Sequence, residues 1–303
     1  MTRLERVFAI LDHKGIGLEI GPSHSPFAPK KKGYHVHIVD HASKQDLIRK
    51  YQGHQVNLDN IEDVDFIWSG QKLSDLVGKK KHYDWIIASH VIEHTTDLVT
   101  FLQECSALLK DTGVLSLVIP DKRYCFDYFR WPSSTGDVLQ AYLEERTIHS
   151  PGVVADHFLN AVKSGGEIAW SKFTQGKKEF VHSPQVAKDS FVQAQKSSDY
   201  IDVHNWRFTP SSFRLLLHDL LSFGYVDLGE VISYDTVGSE FYFSLGKSSS
   251  QKVKVYNRSR LTQAMMQEVK YDRASVFNPL VYILRLTRMS VLRKLAKLLL
   301  GRK

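Results

Sequence analysis

One pattern constrains this chain more than any other: short apolar runs recur, and helix-patterned stretches separate them. The runs are GIGLEIG (15–21), YHVHIVD (34–40), VDFIW (64–68), YDWIIAS (83–89) and GVLSLVI (113–119). Runs this short and this rich in Ile, Val and aromatics read as buried strands. Between the fourth and fifth lies DLVTFLQECSALLKDTG, where Leu98, Phe101, Leu102, Cys105, Leu108 and Leu109 recur at helical spacing before a glycine stop. Strands joined by helical crossovers pair in parallel, with helices on both faces. YVDLGEVIS (225–233) and SEFYFSLG (239–246), with Asp235 and Gly238 between them, add an antiparallel pair at the edge. The expected fold is a Rossmann-like, mostly parallel seven-stranded sheet with an antiparallel edge strand.

Residues 120–210 break the alternation and are too long for a connector. They read as a substrate-specific insertion or lid within a domain spanning 1–246. The remaining 247–303 read as a basic linker, opened by the serine run 248–250, and a tail. That segment holds 14 of the 40 basic residues and two of the 33 acidic ones, a net of +12. The first 246 residues therefore carry −5, which argues against a nucleic-acid groove across the body. The two cysteines, Cys105 and Cys125, form no C-x-x-C pair, so no disulfide framework or thiolate zinc site is expected. The N-terminus has charges at Arg3, Glu5 and Arg6 and no signal-length apolar run. A cytoplasmic protein is expected.

A parallel sheet binds ligands at the carboxyl ends of its strands. The first strand ends Glu19-Ile20-Gly21, where a glycine lets the backbone approach a ligand. The second ends in Asp40, the place of a carboxylate that grips ribose hydroxyls. The turn GPSHS lacks the further glycines of a dinucleotide fingerprint, and Pro22 has no N–H to offer a diphosphate. A nucleoside without a diphosphate fits better. In sequence, GLEIGPSHSPFAP, VHIVDHAS and DWIIASHVIEHTTDLVTFLQECSALLKDTGVLSLVIPDKRYCFD resemble a class I S-adenosylmethionine-dependent methyltransferase, of the type 11-like bacterial kind associated with glycan tailoring. The resemblance covers roughly residues 10–246. It implies that Glu19 and Gly21 lie against the methionine part of the donor and that Asp40 holds the ribose. Trp68-Ser69-Gly70 stands where the family commonly has an adenine-contacting acid, so Ser69 and Gly70 take that place. Ser89 and His90 fall at the junction of donor and acceptor.

The stretch HVIEH (90–94) reads in isolation as a metalloprotease signature. A protease needs both histidines within a helix, whereas here the strand DWIIA runs directly into Ser89 and His90. Two roles remain. Some ubiquinone-pathway O-methyltransferases carry E-x-x-E-H at this place and bind a divalent cation. That similarity implies an ion such as Mg2+ on His90, Glu93 and His94. Alternatively His90 is a general base without a metal. After the fifth strand, IPDKRYCFDYFR places Asp121 and Arg123 toward the site mouth, unless the two pair with each other. In DVHNWRFTPSSF, Thr209 caps a helix that begins at Pro210, and His204 just upstream is a rival base.

The tail 276–303 sets leucines on one face and Arg293, Lys294 and Lys297 on the other. It is expected to lie on an anionic membrane surface, on the inner face, or to dock on the body. The expected function is S-adenosylmethionine-dependent O-methylation of a sugar or glycan, lipid-linked in one version. A hydroxyl acceptor needs a base or a metal because its pKa lies far above 7. The rival readings are a nicotinamide-dependent oxidoreductase on the same sheet, and a non-catalytic S-adenosylmethionine-binding protein.

Overall fold

The computed structural model describes residues 1–174 and 176–277, with side chains to residue 270. Five parallel strands form one side of the sheet: β1 (Gly17–Ile20), β2 (Val36–Asp40), β3 (Phe66–Ile67), β4 (Tyr83–Ser89) and β5 (Leu109–Pro120). A two-stranded hairpin, β6 (Val162–Ser164) and β7 (Lys178–Phe180), stands apart. The last strands are β8 (Leu228–Val237) and β9 (Glu240–Lys247), and the seven-stranded order is β3-β2-β1-β4-β5-β9-β8. The sheet is therefore as the apolar runs predict. β9 inserts antiparallel between β5 and β8, which places its first residue, Glu240, opposite Pro120 at the carboxyl end of β5.

Helices in chain order are α1 (Arg3–Val7), α2 (Lys44–Tyr51), α3 (Leu73–Val77), α4 (Leu98–Leu108), α5 (Thr135–Leu143), α6 (Pro151–Asn160), α7 (Pro184–Lys196), α8 (Pro210–Ser222) and α9 (Arg258–Phe277). The sheet buries both faces because alternate side chains point opposite ways. On one face Leu18, Ile20, Ile86, Ala88, Leu115 and Leu117 meet α4, α5 and α8. On the other, Trp85, Ile87, Val114 and Val118 meet Val7, Phe8 and Leu11 around α1. Gly17 permits this second layer, since a Cβ there would fall 2.0 Å from the Trp85 ring.

Three elements differ from the sequence expectation. β3 has only two residues, because the Asp65 carboxylate takes the Ile38 N–H at 2.6 Å where a strand carbonyl would have done so. Asp235, expected in the connection, lies within β8. The serine run 248–250 is a turn whose continuation folds back on the domain. Lys254 N–H donates to the Glu230 carbonyl at 2.7 Å, Arg258 pairs with Asp219, and Glu268 accepts from Ser211 of α8. The amphipathic reading of the tail falls on residues 278–303, which lie outside the described residues. Among those that are described, no helix is long and apolar enough to cross a membrane.

Candidate active site

β1 and β4 are neighbours, and strand order reverses between them, so their carboxyl ends flank the crevice where parallel sheets bind ligands. Both chains leave the sheet with left-handed backbone: Gly21 at φ +65° and His90 at φ +54°. The Gly21 N–H donates to the Val39 carbonyl at 2.7 Å. A Cβ on Gly21 would stand 2.9 Å from Cγ2 of Val91, so the β1 turn lies directly against the residue after His90.

The two strand-end acids are both buried but differ in what they hold. Glu19 accepts from the Phe27 and Ala28 N–H groups at 2.6 and 3.0 Å, pinning the loop that follows Gly21. Burial pushes its pKa up to about 7, against the pull of those two amides. Both oxygens are thus committed to the protein, and Glu19 shapes the cradle through the loop. Asp40 accepts the Ser23 N–H at 2.9 Å, which brings its carboxylate beside the Gly21 turn. Its other oxygen accepts the His41 N–H at 2.8 Å. Ser69 and Gly70 sit exposed on the rim beyond β3, where the Ser69 N–H donates to Gln71 Oε1 at 2.7 Å.

His90 is engaged on both ring nitrogens. Nε2 lies 2.9 Å from Glu240 Oε2, and Nδ1 lies 3.4 Å from Glu93 Oε1. Burial works against the imidazolium, but the two carboxylates outweigh it and carry the pKa up to about 9. With both ring nitrogens facing carboxylate oxygens, His90 presents neither of them to an acceptor hydroxyl in this structure, which sets it apart from the base the sequence suggested. Glu240, drawn down to about 2 by His90 and Arg3 against its burial, also pairs with Arg3 Nε at 2.6 Å. Arg3 reaches Ser89 Oγ at 3.2 Å as well, so helix α1 contributes to the crevice. Neither Arg3 nor Glu240 carries a sequence signal for this role.

The stretch after His90 forms a 3-10 turn, Ile92–His94, onto which the 202–209 segment is fastened. The Glu93 carbonyl accepts the Asn205 and Trp206 N–H groups at 2.7 and 3.1 Å, and Trp206 Nε1 donates to Thr95 Oγ1 at 3.1 Å. Thr209 caps α8 with Pro210 as its first residue, as the sequence predicts, which fixes where this segment ends. His204 is thereby delivered beside His94, with ring centroids 4.7 Å apart and planes at 90°. Nδ1 of His94 faces Asp202 Oδ1 at 2.7 Å, and Nδ1 of His204 faces a carboxylate oxygen of Asp127. One ligating atom each from Glu93, His94 and His204 lie within 4.8 Å of one another. Of the expected trio His90, Glu93 and His94, the structure thus joins the last two with His204, and turns His90 toward Glu240.

Asp121 and Arg123 adopt the alternative the sequence allowed. Arg123 Nη2 lies 2.6 Å from Asp121 Oδ2, the same oxygen accepts from Thr236 at 2.6 Å, and Asp121 is fully buried. The pair closes the end of β5 against β8. The expectation that it faces the acceptor is therefore corrected: a carboxylate satisfied by its own neighbours has nothing left for a substrate.

The model of the methyltransferase domain family matches residues 1–220, most of the chain. The chain belongs to this methyltransferase domain family. No curated protein matches it. Among solved structures, it is similar to the CcbJ methyltransferase of Streptomyces caelestis, with 12% identity over 81% of this chain and 93% of that one, TM-score 0.41. It is also similar to a Thermotoga maritima methyltransferase described as a possible histamine N-methyltransferase, with 14% identity over 81% and 87%, TM-score 0.34. A Rhodobacter sphaeroides chain provisionally described as a zinc-dependent alcohol dehydrogenase matches with 12% identity over 81% and 89%, TM-score 0.45. These likenesses are distant, and membership rests on the family match. In this methyltransferase the Gly21 turn packs against Val91 too closely for a side chain, and the Asp40 carboxylate is tied to the same turn through the Ser23 N–H.

Proposed function

We propose that this methyltransferase transfers a methyl group to a hydroxyl of a sugar or glycan. Gly21 and Asp40, with Ser69, Gly70 and Ser89 at the margins, would hold S-adenosylmethionine. When bound, that donor supplies an electrophilic methyl on a sulfonium. The protein's part is to place an acceptor oxygen in line and to take its proton. His90, held cationic between Glu240 and Glu93, sets the strand exit that separates the donor cradle from the acceptor cluster.

The Glu93 carboxylate carries this reading. It is 1% exposed; its Oε1 has the long His90 Nδ1 contact at 3.4 Å, and neither oxygen accepts a close hydrogen bond among the described residues. One long ion pair leaves most of the acceptor capacity of this buried carboxylate unused, and unsatisfied buried acceptors cost about 1–3 kcal/mol, which favours a ligand that donates to it. A hydroxyl group does so, flanked by the imidazoles of His94 and His204. Saccharide is supported by the surroundings. The half-exposed Tyr200 donates its hydroxyl to the His94 carbonyl at 3.1 Å, and exposed Phe129 and Phe180 pair at 5.6 Å with their planes tilted by 39°. Sugar rings lay their C–H faces on such rings.

The experiment is methyl transfer from labelled S-adenosylmethionine to a panel of saccharides, phenols, amines and thiols, with the product read by NMR. An O-methyl saccharide is expected. Methylation confined to nitrogen, sulfur or carbon acceptors sinks the reading. We also place the enzyme in the cytoplasm, with residues 276–303 touching an anionic membrane from its inner face. Their charge supports this, and deletion of the tail should abolish co-sedimentation with anionic vesicles.

A further inference from the structure

The geometry points to a divalent transition-metal site made by Glu93, His94 and His204, with Asp202 and Asp127 as outer-sphere partners. Three observations converge on it. The ligating atoms of the trio come within 4.8 Å of one another, though His204 is more than a hundred residues from the other two. Both imidazoles are anchored the same way, Nδ1 of His94 on Asp202 at 2.7 Å and Nδ1 of His204 on Asp127 at 2.5 Å. Each ring therefore turns its Nε2 away from its carboxylate. A carboxylate behind the far nitrogen is how metal-binding histidines are oriented and made more basic. Third, the Glu93 carboxylate is buried, with Oε2 unpartnered among the described residues and Oε1 held only by the 3.4 Å His90 contact, so it supplies the anionic ligand.

Two imidazoles and one carboxylate select borderline ions such as Zn2+, Mn2+, Fe2+ or Co2+. Mg2+ prefers an all-oxygen set, so the ion expected from the sequence changes along with its ligands. Three protein ligands leave open positions, and His94, about one-third exposed, marks the side on which the site meets solvent. An acceptor hydroxyl would bind there and have its pKa lowered. This role rests on the acceptor reading above, whereas the site itself does not.

The test uses the full-length chain stripped with a chelator and titrated with Zn2+ or Co2+, without donor or acceptor. One equivalent is expected to bind. X-ray absorption on the Co2+-loaded wild type should show two imidazoles in the coordination shell. His204→Ala and Glu93→Gln should weaken binding by at least tenfold, and Asp127→Asn by about 10–100-fold. His90→Gln should leave the stoichiometry unchanged. Binding of S-adenosylhomocysteine, measured in parallel on each variant, reports folding and the donor pocket separately. Failure to bind any of these ions, or a shell with fewer than two imidazoles, overturns the site. So does binding that survives His204→Ala but is lost with His90→Gln. A wild type that binds the ion yet methylates only nitrogen leaves the site standing and removes the hydroxyl reading alone.

Discussion

Nδ1 of His204 lies 2.5 Å from Oδ2 of Asp127, and both side chains are buried. The other Asp127 oxygen takes Arg130 Nη1 at 2.7 Å, and that nitrogen also donates to the His204 carbonyl at 2.8 Å. Burial alone would raise the Asp127 pKa. His204 and Arg130 reverse this and hold it well below the usual carboxylate range. The segment after β5 and the segment before α8 are thus joined by a buried charge network that orients one imidazole.

Asp127→Asn keeps the shape and removes the charge. Loss of the orienting carboxylate should lower kcat about 10–100-fold, with affinity for S-adenosylhomocysteine unchanged. Asp127→Ala instead leaves Arg130 facing a void and should cost about 3–5 kcal/mol of stability in urea denaturation. Equal kcat losses for the Asn variant and for an unrelated variant of the same stability would show that the role is only structural.

At the other end of the crevice, Gly21→Ala demands φ +65° of an L-residue and sets a Cβ at 2.9 Å from Val91 Cγ2. The backbone part alone should cost about 1–2 kcal/mol. Weaker binding of S-adenosylhomocysteine should accompany it in calorimetry. Adding Val91→Ala relieves the clash but not the dihedral, so the double variant should recover part of the stability. No recovery would mean that the two residues do not touch.

The His90 pairing predicts a pH dependence whose sign follows from the raised pKa. Stability from a group raised from 6.5 to about 9 is fully present below pH 6.5 and is lost as pH climbs through 9. The difference in urea midpoint between wild type and His90→Gln should therefore be level in mildly acidic solution and shrink over that window. A difference that grows toward pH 9 would mean that His90 is neutral in the folded protein.

Cys105 and Cys125 are both buried, and burial pushes both thiol pKa values up. Neither should react with a thiol reagent in native buffer, and two equivalents should appear on denaturation. Rapid native labelling would contradict the core that surrounds them.

What the sequence alone determined is local. Apolar runs ending in Gly21, Asp40 and Ser89 mark strands whose carboxyl ends lie together, because burial imposes a period on any strand regardless of its partners. The Thr209-Pro210 cap was legible for the same reason, since it satisfies N–H groups within one turn. The Asp121–Arg123 pair was legible as an alternative, and proximity in sequence made it the outcome. Tertiary structure decided the rest. His90 found Glu240 across 150 residues because β9 inserts beside β5, and His204 joined Glu93 and His94 because the Glu93 carbonyl holds the Asn205 and Trp206 amides. No spacing in the chain encodes those meetings. They depend on which strand lies beside which, and that is settled by the free energy of the whole packed core rather than by any one segment.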